Sequence, residues 1–169
     1  NKITFGDYKL MDIPNTSIST IKAVKDLKLN YITIHISSGL EALKAAKKVS
    51  GNTKLIGVTV LTSLDNKSLQ EIGYSREVKK IVLQHAKLAN QAKLDAIVCS
   101  PKEVNIVRKV FKKEIITPGI RLDSNVDDQK RTLTPKQAYK NGSDWLVIGR
   151  PITKGNIKNN LQKLINHLK

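Results

Sequence analysis

Apolar and polar positions alternate along the chain in a pattern that predicts short strands separated by longer helices. Short apolar runs rich in β-branched residues predict strands, and an apolar spacing of three and four residues predicts helices. The predicted strands are 2–7, 31–36, 54–60, 95–99, 114–118 and 144–148. The predicted helices are 17–27, 39–49, 75–92, 101–111, 135–141 and 157–168.

The ends of several predicted helices carry sequence signals of their own. Ser100 and Thr134 each place a capping hydroxyl directly before a proline, at Pro101 and at Pro135. Proline is favoured in the first turn, where the missing N–H costs nothing. Gly142 follows the fifth predicted helix as a stop signal.

The alternation of strands and helices predicts βαβ units and a parallel sheet. Because no GxGxxG turn follows the first strand, a barrel is favoured over a dinucleotide-binding fold. We therefore predict an α/β fold of the TIM (β/α)8 type, as one partial barrel domain over residues 1–169, with about six of the eight units. The polar stretches 63–75 and 122–134 are predicted to be long loops after strands, where barrel enzymes place their sites.

Composition changes this picture little, apart from a formal net charge of +16. Nucleic-acid binding is one explanation, but the lysines are dispersed over helical faces and no aromatic-interleaved basic patch accompanies them. A solvated lysine-rich surface is the preferred interpretation. The chain has no apolar run of membrane-spanning length, no signal-peptide pattern and one cysteine, Cys99, predicted to lie in the core. A cytoplasmic location is expected.

The first predicted strand ends in a group of charged residues that can carry chemistry. Asp7 and Lys9 are two residues apart and so face the same side of a strand, while Asp12 follows where the chain turns. An ammonium between carboxylates stays protonated and can donate a proton to a carbanion. The alternative is an exposed ion pair that contributes little.

Two later turns offer groups suited to a phosphate. The segment 117–121 ends a strand and carries Gly119 and Arg121, and Gly149 and Arg150 end the last strand and open a helix. A helix start with an arginine favours an anion, and Gln129 lies in the polar loop between the two turns. The three histidines show no metal-ligand spacing, so no metal site is predicted.

Taken together, these motifs resemble the orotidine 5′-phosphate decarboxylase family, over essentially the whole chain. The Ile-Pro-Asn-Thr continuation and the Pro-Gly-Ile-Arg turn favour that enzyme over a sugar-phosphate decarboxylase of the same superfamily, which shares the first triad. The resembling residues are Asp7, Lys9, Asp12, Ile13, Pro14, Asn15 and Thr16, then the segments 58–63, 117–121, 128–131 and 149–152.

The resemblance implies decarboxylation of orotidine 5′-phosphate to UMP in pyrimidine biosynthesis, with no metal or organic cofactor. Lys9 would protonate C6, Asp7 would lie near the departing carboxylate, and Asp12 would reach into the site of a partner subunit in a homodimer. Thr62 would lie near the nucleoside. The residues implied to bind the phosphate or close the loop are Arg121, Gln129, Gly149 and Arg150.

The chain departs from the family pattern in two ways. Leu10-Met11 stands where bacterial members usually have Phe-His. The family's first two βα units, which carry a ribose-binding aspartate and a second lysine, have no counterpart in the 169 residues. Three hypotheses stay open: the C-terminal three-quarters of an ordinary decarboxylase, a relative that binds a UMP-like ligand without turnover, and, far behind, a cationic protein associated with nucleic acid.

Overall fold

Six parallel strands, in the order of the sequence, form one sheet in a computed structural model that describes residues 2–122 and 131–168. Helices follow the strands, as the apolar pattern predicts. The strands are β1 (Phe5–Leu10), β2 (Tyr31–His35), β3 (Lys54–Val58), β4 (Ala96–Val98), β5 (Glu114–Thr117) and β6 (Trp145–Leu146). The helices are α1 (Pro14–Ala23), α2 (Leu40–Val49), α3 (Asn66–Glu71), α4 (Val78–Gln91), α5 (Val104–Val110), α6 (Pro135–Lys140), α7 (Arg150–Thr153) and α8 (Ile157–Leu168).

The sheet has two faces of different character, which the period-two alternation of its strands explains. Alternate residues such as Ile32 and Leu55 are fully buried in a large core shared with the helices, including Leu43 and Val82. The other face carries a separate, smaller buried cluster of Tyr31, Ile56, Ala96 and Ile116. This second face is the inner side of the partial barrel.

The structure confirms the predicted fold class and corrects several boundaries. The first strand runs over Phe5–Leu10 instead of 2–7, because an irregularity in its pairing with β2 between Gly6 and Leu10 lets it continue. The last strand shrinks from 144–148 to Trp145–Leu146, whereas α8 has the predicted bounds.

The first helix begins earlier than predicted. It starts at Pro14, which lies in the first turn where proline is tolerated, and it ends at Ala23 instead of residue 27. A separate 3-10 turn, Lys25–Leu27, follows it. As a result, Pro14, Asn15 and Thr16 belong to a helix and not to the loop before it.

The polar stretch 63–75 is not wholly a loop, since it contains α3. The Asp65 side chain caps this helix by accepting a hydrogen bond of 2.9 Å from the Ser68 amide. Only Leu69 of the helix is buried, so the apolar periodicity was too weak to reveal it. In the second predicted loop, 122–134, residues 123–130 lie outside the described part of the chain.

None of the helices within residues 2–122 and 131–168 combines the length and the apolar character that a membrane span requires.

A polar cluster ties four strands together at the amino edge of the sheet, where the strands begin. The Glu114 carboxylate accepts hydrogen bonds from the Tyr31 hydroxyl at 2.7 Å and from the Trp145 indole at 3.1 Å, and it pairs with the Lys54 ammonium. Burial raises the pKa of Glu114, but the hydrogen bonds from Lys54 and Tyr31 outweigh it and hold the pKa below its ordinary value. The charged form is therefore favoured by folding.

We expect Glu114→Gln to lower the free energy of unfolding at pH 7 by about 1 kcal/mol, because the amide keeps the shape but loses the charge. Since the folded pKa lies below the ordinary 4.5, this stabilisation is complete above that value and is lost as pH falls through the folded pKa. Urea denaturation of both proteins at pH 7 and near pH 3 measures it. A difference that stays constant between the two pH values would contradict the assignment.

Candidate active site

The carboxyl ends of the strands gather the residues that the sequence singled out. In a parallel sheet all these ends lie at one edge, so residues far apart in sequence come together there. Lys9 lies at the end of β1, Thr62 lies four residues beyond β3, and Arg121 lies four residues beyond β5. Arg150 opens α7 after β6. These four predicted site residues therefore share the edge opposite the Glu114 cluster.

Asp7 and Lys9 form an ion pair, as their spacing predicts. The Lys9 Nζ lies 2.5 Å from Asp7 Oδ2, and the two side chains are 46% and 51% exposed. Thr33 on the neighbouring strand holds both residues: its hydroxyl donates to Asp7 Oδ1 at 3.1 Å and accepts from the Lys9 amide at 2.8 Å. The pair is thus half exposed, and its orientation is fixed by Thr33.

The backbone at Lys9 is in the left-handed region, with φ of 49°. A side chain with a Cβ pays a steric cost there, and such residues concentrate at functional sites. The unusual backbone coincides with the irregular pairing of β1 and β2 between Gly6 and Leu10. The bulge therefore changes the direction in which the ammonium leaves the strand.

One histidine, His35, interacts electrostatically with this pair, and a second histidine, His85, interacts with His35. Burial lowers the pKa of His35, the Lys9 charge lowers it further, and Asp7 opposes both. Burial also lowers the pKa of His85, against a hydrogen bond with the Thr59 backbone, and His35 adds a smaller lowering. The lowered pKa of His35 favours its neutral form.

Asp12 is placed apart from the Asp7–Lys9 pair. Its carboxylate accepts a hydrogen bond of 2.7 Å from the Ile13 amide, and its backbone oxygen accepts one from the Ser17 hydroxyl. Among the described residues, no hydrogen bond or ion pair joins Asp12 to Asp7 or Lys9. Asp12 and the four residues 13–16 are all exposed. The structure therefore brings together two of the three charged residues of the opening segment.

The turn after β5 is held in a defined shape. Gly119 has φ of 74°, which favours glycine. The Arg121 amide donates to the Leu133 carbonyl at 3.1 Å, and the Leu133 amide donates to the Gly119 carbonyl at 3.3 Å. Arg121 is half-buried, Arg150 is exposed in the four-residue helix α7, and Gln129 lies outside the described residues.

Sequence reasoning missed two contributors to this edge. Thr33 lies within an apolar strand and was therefore not singled out. The alternation of β2 nevertheless places it on the inner face, together with Tyr31 and His35. Glu103 forms a buried ion pair with Arg131, and only its charge in an otherwise ordinary segment pointed to it, whereas Arg131 lies in the segment 128–131 that carries the family resemblance. No group of three metal-ligating side chains occurs in the described ranges.

Comparisons with known proteins show the family to which the chain belongs. The sequence profile of the family described as "Orotidine 5'-phosphate decarboxylase / HUMPS family" matches residues 1–163. The orotidine 5′-phosphate decarboxylase of Wolbachia sp. subsp. Brugia malayi (strain TRS) is 50% identical, over 98% of this chain and 75% of the relative. The chain belongs to the orotidine 5′-phosphate decarboxylase family. The corresponding enzyme of Actinobacillus pleuropneumoniae serotype 5b is 42% identical, over 96% of this chain and 74% of the relative.

Solved structures of orotidine 5′-phosphate decarboxylases have the same fold. The crystal structure of the Lactobacillus acidophilus protein superposes with a TM-score of 0.83 at 31% identity, over 99% of this chain and 75% of the other. That of Methanocaldococcus jannaschii gives 0.78 at 24% identity, over 100% and 75%, which supports the fold alone. These findings confirm the predicted family, a carbon–carbon lyase family, and the barrel-type fold.

We expect Lys9→Gly to be more stable than Lys9→Ala by up to about 1 kcal/mol, because glycine relieves the left-handed strain. Lys44 in α2 is the matched control, since it is an exposed lysine in the middle of a regular helix. There Lys44→Gly should be less stable than Lys44→Ala by about 0.5–1 kcal/mol. Urea denaturation of the four variants measures both differences, and the same sign at both positions would show that Lys9 is unstrained.

Proposed function

We propose that this chain decarboxylates orotidine 5′-phosphate to UMP, with Lys9 as the proton donor. The bond between C6 and the carboxylate breaks, carbon dioxide leaves, and the electron pair stays on C6. The Lys9 ammonium then gives its proton to C6 and is reprotonated from solvent. The observation that carries the proposal is the Lys9–Asp7 ion pair oriented by Thr33 at the carboxyl edge.

Asp7 has two roles in this proposal. It holds the Lys9 ammonium at the carboxyl edge, because the two charged groups form an ion pair. It also lies where the substrate carboxylate would bind, so that two negative charges oppose each other before carbon dioxide leaves. The 2.5 Å distance between Lys9 Nζ and Asp7 Oδ2 supports the first role directly.

The remaining residues are proposed to bind the rest of the substrate. Arg121 and Arg150 would contact the phosphate, with Gly149 and Gln129, and Thr62 would contact the nucleoside. Residues 13–16 at the start of α1 would border the same site. Binding energy from the remote phosphate would then be used at the reacting carbon. The common position of Arg121, Thr62 and Arg150 after the ends of strands supports this assignment.

A homodimer with shared sites is the proposed assembly, and Asp12 is the residue that would cross between subunits. Asp12 is exposed and is held by its own neighbours instead of by Lys9. Its flanking residues Met11 and Ile13 are 64% and 65% exposed, an apolar surface suited to contact with a second copy. In such a dimer, each site would combine Lys9 of one subunit with Asp12 of the other.

A second candidate is a protein that binds UMP without turnover. The half-exposed Asp7–Lys9 pair favours it, because water weakens the electrostatic interactions that catalysis requires. β1 is an edge strand of the described sheet, which explains that exposure. This candidate predicts UMP binding by the 169-residue chain with no release of carbon dioxide.

Turnover is tested with the 169-residue chain and with a longer protein, in which the two βα units that the family pattern has before β1 precede the same chain. We expect the longer protein to decarboxylate orotidine 5′-phosphate, with EDTA present, and to act poorly on a sugar phosphate. Lys9→Ala should reduce turnover to background, a loss of at least about 10²-fold. Lys44→Ala, which removes an exposed helical lysine, is the control and should keep full activity. Robust turnover by Lys9→Ala would exclude Lys9 as the proton donor.

The shared site is tested by mixing two inactive variants of the longer protein, Lys9→Ala and Asp12→Ala. Half of the randomly formed dimers are hybrids, and each hybrid has one site with both residues intact. Mixing should therefore restore roughly a quarter of the wild-type activity, as two-fold symmetry requires. If the mixture stays as inactive as its components after subunit exchange, Lys9 and Asp12 act within one subunit.

A further inference from the structure

A buried ion pair lies behind the carboxyl edge, outside the groups considered so far. Arg131 Nη1 lies 2.9 Å from Glu103 Oε2, and the two side chains are only 9% and 3% exposed. Burying two charges costs more than their attraction returns in many proteins, so such a pair is weak evidence for a role in stability. Its contacts indicate what else it does.

The guanidinium of Arg131 also binds the chain directly after β3. Its Nη2 donates to the Val60 carbonyl at 3.0 Å and to the Leu61 carbonyl at 2.8 Å. The next residue is Thr62, which is itself buried. Arg131 therefore fixes the backbone from which the Thr62 side chain extends.

The backbone of Arg131 is held in turn by the segment after β4. The Ser100 hydroxyl donates to the Arg131 carbonyl at 3.0 Å, and Glu103 follows three residues later. Two residues beyond Arg131, Leu133 pairs with the turn after β5, accepting from the Arg121 amide and donating to Gly119. One buried pair thus connects the ends of three neighbouring strands.

We propose that Glu103 and Arg131 are positioning residues for substrate binding, through Thr62 and Arg121. This inference rests on the proposed function, which places Thr62 at the nucleoside and Arg121 at the phosphate. The pair has no hydrogen bond or ion pair with Asp7 or Lys9 among the described residues. It governs how the substrate is bound and leaves the proton transfer from Lys9 unchanged.

A similar arrangement at the opposite edge provides a matched control. Arg108 pairs with Asp144 at 2.6 Å and donates to the carbonyls of Lys113 and Gly142, each at 2.6 Å. It joins one carboxylate and two backbone carbonyls, as Arg131 does, but next to the starts of β5 and β6. Arg108→Met therefore removes the same kind of contact far from the carboxyl edge.

The test compares Glu103→Gln/Arg131→Met with Arg108→Met. The double variant removes both charges together, which avoids leaving one buried charge unpaired. In the 169-residue chain, amide hydrogen exchange should accelerate at least about 10-fold at Arg121 and Leu133, while Val82 in α4 stays protected. Arg108→Met should leave exchange at Arg121 and Leu133 unchanged. If the double variant does not fold, Arg131→Lys serves instead. Lysine keeps the positive charge but cannot reproduce the hydrogen bonds of the guanidinium to the Val60 and Leu61 carbonyls.

Kinetics of the longer protein distinguish positioning from a general loss of structure. The double variant should raise KM for orotidine 5′-phosphate about 10-fold or more and change kcat by less than about 3-fold. Arg131→Lys should give an intermediate KM. Unchanged exchange at Arg121 and Leu133 in the folded variant, or an equal loss in kcat with KM unaltered, would overturn the inference. If the wild-type protein shows no turnover, the proposed function fails, and the exchange measurement still decides the positioning role.

Discussion

The parallel, in-order winding of the six strands is the constraint on which the other features depend. Each strand is followed by helical structure that returns the chain to the same edge, so every strand ends on one side of the sheet. The charge at the end of β1, the hydroxyl after β3 and the arginine after β5 therefore lie at the same edge of the sheet. The alternation within each strand then separates an apolar face for the helices from an inner face that can carry polar groups.

The sequence predicted well what depends on periodicity. All six strands, the order of elements and the bounds of α8 follow from apolar spacing, because burial of one face imposes that spacing. The Asp7–Lys9 pair also follows from spacing, since residues two apart on a strand share a side. The family resemblance rested largely on motifs at strand ends, and the fold places those that lie within the described residues at one edge.

Features that depend on tertiary contacts could not be predicted in this way. The extension of β1 to Leu10 depends on its irregular pairing with β2, which cannot be predicted from the local sequence. The helix α3 is short and polar, so its capping by Asp65 outweighs its weak apolar pattern. The partnership of Glu103 with Arg131 joins residues 28 positions apart and becomes visible only when three strand ends are assembled.

The two edges of the sheet use charge differently. At the amino edge, the Glu114 carboxylate pairs with the Lys54 ammonium. It also accepts hydrogen bonds from the Tyr31 hydroxyl and the Trp145 indole. At the carboxyl edge, the Asp7–Lys9 pair stays half exposed and Lys9 adopts a strained backbone. The groups that stabilise the sheet and the groups proposed to carry out the chemistry thus lie at opposite ends of the same strands, as is usual in barrels.

The position of Asp7 and Lys9 on an edge strand has a consequence for self-association. An edge strand with unpaired backbone groups can recruit a strand from another molecule, and natural proteins discourage this with charges and bulges. β1 carries both, because Asp7 and Lys9 lie on it and its pairing with β2 is irregular. In the 169-residue chain, the two charges proposed to take part in decarboxylation therefore also disfavour the pairing of β1 with a strand of another molecule, and replacing them with apolar residues would remove that effect together with the proposed chemistry.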